Sequence, residues 1–446
     1  MRDALTGRTI DLLQSMIANA CVNDGHSDSG QEVRNADVLT AVLEEAGLTV
    51  ERFEPHPGRV SIVSRIEGSS GNGPSLCLMG HTDVVPVNPE GWRHDPFGGE
   101  LIDGEIWGRG AVDMLNITSS MAVAFTELAR RRFRPSGDLI FFAVADEESG
   151  STHGAQWMAD HHREVIHADY VLTENGGLHT GGANRPAITV NVAEKGVAWR
   201  RLRLTGRPGH GSMPYRSDNA LVQAAAVVQR LADYQPSPRF TELWSGQVDA
   251  MDVDDETKAL LRDENAIDRV LAAIPNVGTS AFLHACTHTT FSANVVDGGG
   301  MKTNVIPDTI DLEVDVRTLP GETGDAVEEH LRTALGDLWD SVQIEVMMND
   351  PASMSRTDNP LWEALYRSVV REFPSARLQP SMSVGFTDAR VYRSLGSVAY
   401  GAGLFSPSLD PGEFAQRFHG HNERIDVESL ELSTRLWVNV AQDLLG

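Results

Sequence analysis

Three short, nearly continuous apolar runs mark the first half of the chain: SLCLM (75–79), DLIFFAVA (138–145) and ADYVLT (168–173). Apolar residues without alternation are expected of strands covered on both faces. Residues 36–47 have helical apolar spacing and end on a glycine stop. Between the first two runs Met121, Ala124, Phe125 and Leu128 recur at i, i+3, i+4 and i+7, the stripe of a buried helix. Strands and helices in alternation predict an α/β domain with a mostly parallel sheet.

The texture changes near residue 197. WRRLRLT (199–205) alternates, and the next helix places Leu221, Ala224, Val228 and Leu231 on one side. TFSANVV (290–296) reads as a strand. TIDLEVDVR (309–317) sets Ile310, Leu312, Val314 and Val316 against Asp311, Glu313, Asp315 and Arg317, which suits an antiparallel sheet wetted on one face. A helix near 324–336 and a strand near 342–346 complete the order βαββαβ of a ferredoxin-like unit. The acidic stretch 235–285 reads as an elaboration of that smaller domain. After NDPAS the α/β texture returns, with an amphipathic helix near 360–372 and another closing the chain. One α/β domain, built from 1–196 and 351–446, is therefore expected to be interrupted by an inserted α+β lid at 197–350.

A length of 446 residues is too great for one ordinary core and agrees with that division. The formal charge of −26 argues against nucleic acid or an anionic membrane as partner. No apolar run is long enough to cross a bilayer, and MRDALTGRTIDLL lacks the basic start and apolar middle of a signal peptide. Cys21, Cys77 and Cys286 are odd in number and far apart, so free thiols used for packing and a cytoplasmic location are expected.

The chemistry lies at the strand ends. The first run leads into His81-Thr82-Asp83, the second into Asp146-Glu147-Glu148 and the third into Glu174. Asp113 lies in WGRGAVDM, a glycine-rich loop entering the helix at 118–130. Ligands bind beyond the carboxyl ends of strands in open α/β sheets, so these loops should share one crevice. Carboxylates gathered there repel one another and need raised pKa values or a cation. Imidazole and carboxylate donors without thiolate suit zinc, or cobalt or manganese, and the surplus of acids allows two ions. Singly, each residue also fits a plainer role: a solvated loop histidine, a surface pair of glutamates, an acid at a helix entry. Their recurrence after successive strands favours the site.

GHTDVVP, WGRGAVDM, ADEESGS, TENGG, GHGSMP and FHGHNERI together resemble the M20 metallopeptidases, in family order from residue 80 to 425. The resemblance implies a zinc-peptidase-like catalytic domain carrying a lid. It also implies two divalent ions, most simply Zn2+, with Co2+ or Mn2+ as substitutes. His81 and Glu174 would bind one ion, Glu148 and His419 the other, and Asp113 would bridge them. Asp83 would accept the second ring N–H of His81, and Glu147 would be the general base for a metal-bound water. His210 in the lid would stabilise the developing oxyanion, while Asn304 and Arg317 would touch substrate. Arg317 could grip a free carboxylate or simply pair with Asp315 or Glu313.

The implied activity is hydrolysis of an amide, in a dipeptide or an N-acyl amino acid, beside a free carboxylate, by a homodimer joined through its lids. A non-catalytic metal-containing binder of amino-acid derivatives is the alternative. Relatives often carry a lysine after AVDM, where this chain has Leu115 and Asn116. His153, His161, His162 and His288 match no ligand position and are expected on the surface.

Overall fold

A computed structural model describes residues 4–182, 186–299 and 302–446. The large sheet contains β1 (Val50–His56), β2 (Arg59–Ile66), β3 (Leu76–His81), β4 (Leu139–Val144), β5 (Tyr170–Thr173) and β6 (Ala187–Glu194). All six residues of β3 and of β4 are buried, as uninterrupted apolar runs require. Late in the chain β11 (Arg377–Ser383) and β12 (Val398–Gly401) join the same sheet. Its order is β1-β2-β4-β3-β5-β12-β6, with β11 parallel to β6. The pairs β3/β4, β3/β5 and β5/β12 are parallel.

Helices α1 (Ala4–Ala18), α2 (Val33–Glu45) and α3 (Leu115–Arg130) belong to this domain. Thirteen residues of α3 are buried, because it lies between the sheet and the closing helix (Val427–Leu445). Trp437 in that helix donates its indole N–H to Ser120 Oγ at 2.9 Å. The approach of α3 to β3 is so close that a Cβ on Gly80 would sit 2.3 Å from Thr118 Oγ1. That hydroxyl donates to the His81 carbonyl at 2.9 Å, fixing the end of the strand.

The smaller sheet is β7 (Arg200–Thr205), β8 (Thr290–Gly298), β9 (Thr309–Thr318) and β10 (Val342–Val346), in the order β8-β9-β7-β10 and antiparallel throughout. Residues alternate perfectly between buried and part-exposed along β9. Helices α4 (Ala220–Asp233) and α9 (Gly324–Leu335) cover its apolar face. The buried stripe of α4 is Ala220, Ala224, Val227 and Leu231, whereas Leu221 is exposed, contrary to the sequence pattern. Asn219 caps the helix through Leu221 N–H, which sets the first turn with Ala220 inward.

Between β7 and β8 run α5 (Glu242–Ala250), α6 (Asp255–Leu260), α7 (Ile267–Ala272) and α8 (Val277–Ala285). The sequence suggested an elaboration of the lid. Instead Trp244, Val248, Leu261, Ile267 and Leu271 share one apolar cluster with Leu378 and Met382 of β11, and so extend the large domain. Among the described residues, no helix is long and apolar enough to cross a membrane.

Candidate active site

His81 closes β3, and its ring is 1 % exposed. Its Nε2 lies 3.3 Å from Asp113 Oδ1 and 3.9 Å from Glu174 Oε1. His419 reaches the other side of the same aspartate, with Nε2 3.1 Å from Asp113 Oδ2 and 3.3 Å from Glu148 Oε2. Two groups of donor atoms result, His81/Asp113/Glu174 and Asp113/Glu148/His419, each spanning no more than 4.8 Å. Asp113 belongs to both. Residues from five separate segments, the end of β3 and the stretches carrying Asp113, Glu148, Glu174 and His419, are thus brought together.

The backbone is tightly specified at these loops. Asp146, Asn175 and His419 all have left-handed conformations, with φ of 67°, 70° and 53°. Such non-glycine positions concentrate at functional sites and need support from their surroundings. Asp146 has it. Arg59 donates to Oδ1 at 2.7 Å and Asn23 at 3.1 Å, while the His153 N–H reaches Oδ2 at 2.8 Å. Arg59 also forks onto the buried Glu32. Asp146 therefore shapes the turn that presents Glu147 and Glu148.

Asp83 differs from its expected role. The nearest acceptor to His81 Nδ1 is the Asp83 carbonyl oxygen at 3.0 Å, and the carboxylate stands 3.5 Å away. The carboxylate accepts instead from the backbone N–H groups of Glu147 and Glu148, at 3.3 and 3.1 Å, and from Asn23 at 2.8 Å. It joins the end of β3 to the turn after β4.

Two buried acids were missed in the sequence. Glu423 is wholly buried; one oxygen accepts from Val112 N–H at 2.7 Å and Asp113 N–H at 3.0 Å, the other from Arg109 at 2.7 Å. Asp388 follows β11, accepts from Ser151 Oγ, and burial pushes its carboxyl up to about 6. An acid beyond the end of a strand parallel to its neighbour was detectable by the reasoning that found Glu174. Glu423 carried no such local signal.

Burial is the largest influence on the acids at the centre. It drives Glu147 and Glu174 well above the usual carboxylate range, with neighbouring carboxylates adding to the effect, and lifts Glu148 to about 7. Asp113 is depressed, because its bonds to the two imidazoles outweigh burial. Those carboxylates raise His81 well above its ordinary value and His419 to about 10. Glu148 Oε1 is buried with no hydrogen-bond partner among the described residues. A crowd of buried anions, an orphaned oxygen and two imidazoles fits divalent cations bound by nitrogen and oxygen donors.

The lid residues lie elsewhere. His210 is exposed on a two-residue strand whose partner is Val305–Ile306, and its Nδ1 meets Ser212 Oγ at 2.8 Å. Asn304 is exposed beside it, its carbonyl accepting from Gly211 N–H. Neither belongs to the donor groups. Arg317 bonds Asp315 at 2.7 Å and lies over the Phe386 ring, while its Nη1 is buried without a partner among the described residues. His288 is 1 % exposed rather than on the surface, because α7 packs across it.

A cavity of about 390 Å3 adjoins the cluster, with Glu174 in its wall. Met251, Phe282, Leu283, Phe405, Phe414 and Phe418 make most of it apolar. The first three come from the 235–285 region, which explains why pocket shape could not be read from the motifs.

Acids and imidazoles gathered at the strand ends of an α/β sheet, in a chain with an inserted antiparallel domain, define a metal-dependent hydrolase. The sequence model of Peptidase family M20/M25/M40 matches residues 77–443, and the chain belongs to that family of metallohydrolases of peptide and N-acyl amino acid bonds. It is 28 % identical over 429 residues to N-fatty-acyl-amino acid synthase/hydrolase PM20D1 of Xenopus tropicalis, covering 91 % of this chain and 81 % of the relative. Succinyl-diaminopimelate desuccinylase of Cereibacter sphaeroides is 24 % identical, with 91 % and 92 % covered. The fold matches an M20 metallo-carboxypeptidase from Sulfolobus solfataricus with a TM-score of 0.74, at 17 % identity and 99 % coverage of both chains.

Proposed function

We propose that this protein hydrolyses the amide bond of N-acyl amino acids whose acyl group is large and apolar. The observation that carries this reading is the apolar chamber beside Glu174. Its volume suits a small-molecule site, and its lining is mostly apolar, with Asn175, Gln247, Gln379 and Ser381 among the polar exceptions. The similarity to an N-fatty-acyl-amino acid synthase/hydrolase supports the same substrate class.

His81 and Glu174 would hold one divalent ion, Glu148 and His419 a second, with Asp113 shared. When bound, the two ions supply Lewis-acid polarisation of the carbonyl and make water more acidic. Glu147 is the proposed general base: its buried carboxylate takes a proton from the attacking water and returns it to the leaving amine. Arg317, with one buried nitrogen unpartnered, is proposed to hold the free carboxylate once the lid brings it to the site. His210 would serve as oxyanion donor only if brought to the site, and its exposure is compatible with delivery to a second copy of the chain.

A series of N-acyl derivatives of one amino acid, from acetyl upward, tests the reading. Burying each added methylene contributes about 0.8 kcal/mol, so kcat/KM should rise about fourfold per carbon until the chamber is full. Equal rates for acetyl and long-chain substrates, or a preference for polar dipeptides, would refute it.

A further inference from the structure

We propose that Asp268, His284 and His288 form an additional divalent-cation site, separate from the catalytic cluster, that fastens α7 to α8. The donor atoms of the three residues lie within 4.8 Å of one another. His284 lies in the last turn of α8 and His288 three residues past its end, where a backbone bond from His288 N–H to the His284 carbonyl at 2.9 Å continues the helical spacing. Residues at that spacing share one helix face. Asp268 approaches from α7, its Oδ1 3.3 Å from His288 Nε2.

The bonding of His288 directs that nitrogen. Its Nδ1 is 2.9 Å from Thr287 Oγ1 and 3.1 Å from the His284 carbonyl oxygen. That carbonyl can only accept, and the Thr287 hydroxyl can give its own proton to the Leu283 or His284 carbonyl at 3.2 Å, so a ring proton on Nδ1 satisfies both contacts. Nε2 then turns a lone pair toward the Asp268 carboxylate. It is buried and has no hydrogen-bond partner among the described residues, despite the oxygen 3.3 Å away. Two electron-rich atoms facing each other repel, and a cation between them reverses the sign. The spacing is also right, because two donors about 2.1 Å from a tetrahedral ion stand about 3.4 Å apart.

Burial lowers the pKa of both imidazoles, which keeps them neutral, as metal ligands must be. The nearby ammonium of Lys195 acts in the same direction and is itself committed to the carbonyls of Ala285 and His288, at 3.0 and 2.6 Å. The two rings are stacked, centroids 4.0 Å apart and planes 5° from parallel. His284 must therefore turn about its side-chain bonds to share an ion, and it is only half-buried. Two imidazoles and one carboxylate select zinc or a similar borderline cation, with water completing the shell at the exposed Asp268 side. Phe282 and Leu283 of the same helix line the apolar chamber, so the ion would brace that wall.

The test is zinc stoichiometry by elemental analysis on the full chain after equilibration with micromolar Zn2+, beside the zinc dependence of Tm. Asp268→Asn and His284→Gln alter exposed or half-buried side chains, and His288→Gln serves as a third variant. Wild type should retain one equivalent more than each variant and show a zinc-dependent rise in Tm that the variants lose. Every catalytic donor is kept in all four proteins, so the difference in count does not depend on the proposed amidase activity. Equal counts and equal Tm responses would overturn the site, as would uptake of the extra ion only at millimolar zinc.

Discussion

Replacing Glu423 by glutamine removes one negative charge from the middle of the molecule while keeping the shape of the side chain. In the structure this carboxylate receives the N–H groups of Val112 and Asp113 on one oxygen and Arg109 on the other. A glutamine carbonyl can still accept both backbone bonds, but its NH2 group then faces the guanidinium, donor against donor. Arg109, 3 % exposed, keeps only longer contacts to Pro86 and His419 carbonyls, at 3.5 and 3.3 Å. Breaking a buried ion pair from one side costs about 3–5 kcal/mol, and the remaining carbonyl contacts put the expected loss near 3 kcal/mol. The bonds to the loop carrying Asp113 survive but weaken, because an ionised acceptor holds an N–H more strongly than a neutral carbonyl. Weakening such a supporting contact should lower metal affinity about tenfold, the low end of the range for losing one outright. Urea unfolding and zinc competition titrations read the two effects. Arg109→Met in the same chain should recover part of the stability, giving a coupling of about 1–3 kcal/mol in a double-mutant cycle. A Glu423→Gln protein within 0.5 kcal/mol of wild type (a margin typical of surface changes) and unaltered in zinc affinity would refute this account of how Asp113 is held.

Glu147→Gln should keep wild-type metal content, since it leaves all five donors of the two groups in place, and lose about 10²–10⁴-fold in kcat; retained turnover in a metal-replete variant would remove Glu147 as base. In the lid, burial alone would raise the Glu322 carboxyl, but His330, Thr289, the Leu319 N–H and Arg239 together hold it down to about 2. A depressed carboxyl stabilises the fold above its unfolded value of 4.5, and that stabilisation fades as pH falls toward 2. Glu322→Gln should therefore be about 3 kcal/mol less stable at pH 7, with the gap shrinking to under half by about pH 3. A gap independent of pH would show that the charge is not responsible.

What could be read in the sequence was local. β3, β4 and β5 announced themselves because a strand buried on both faces has to be apolar throughout, and His81, Glu148 and Glu174 followed because each lies within a few residues of such a run. The alternation of β9 was equally plain. Partnerships across the chain were not legible. Nothing near Glu423 says that its acceptors will be used by N–H groups more than 300 residues earlier. The pattern of α5 shows that it has an apolar side, but not that β11 rather than the lid receives it. His288 was misplaced for the same reason, because the element that buries it is α7 and not its own strand or turn. Leu221 fell on the wrong side because an asparagine cap, rather than the apolar count, decides how α4 begins.

The sharing of Asp113 between donors from the two ends of the chain has a consequence for biosynthesis. His81, Asp113, Glu148 and Glu174 leave the ribosome long before His419 and Glu423, with the whole lid translated in between. Until the last segment arrives, the Asp113 loop lacks its internal support and one of the two cation positions lacks its imidazole. A nascent or prematurely terminated polypeptide is thereby kept incomplete at its reactive centre.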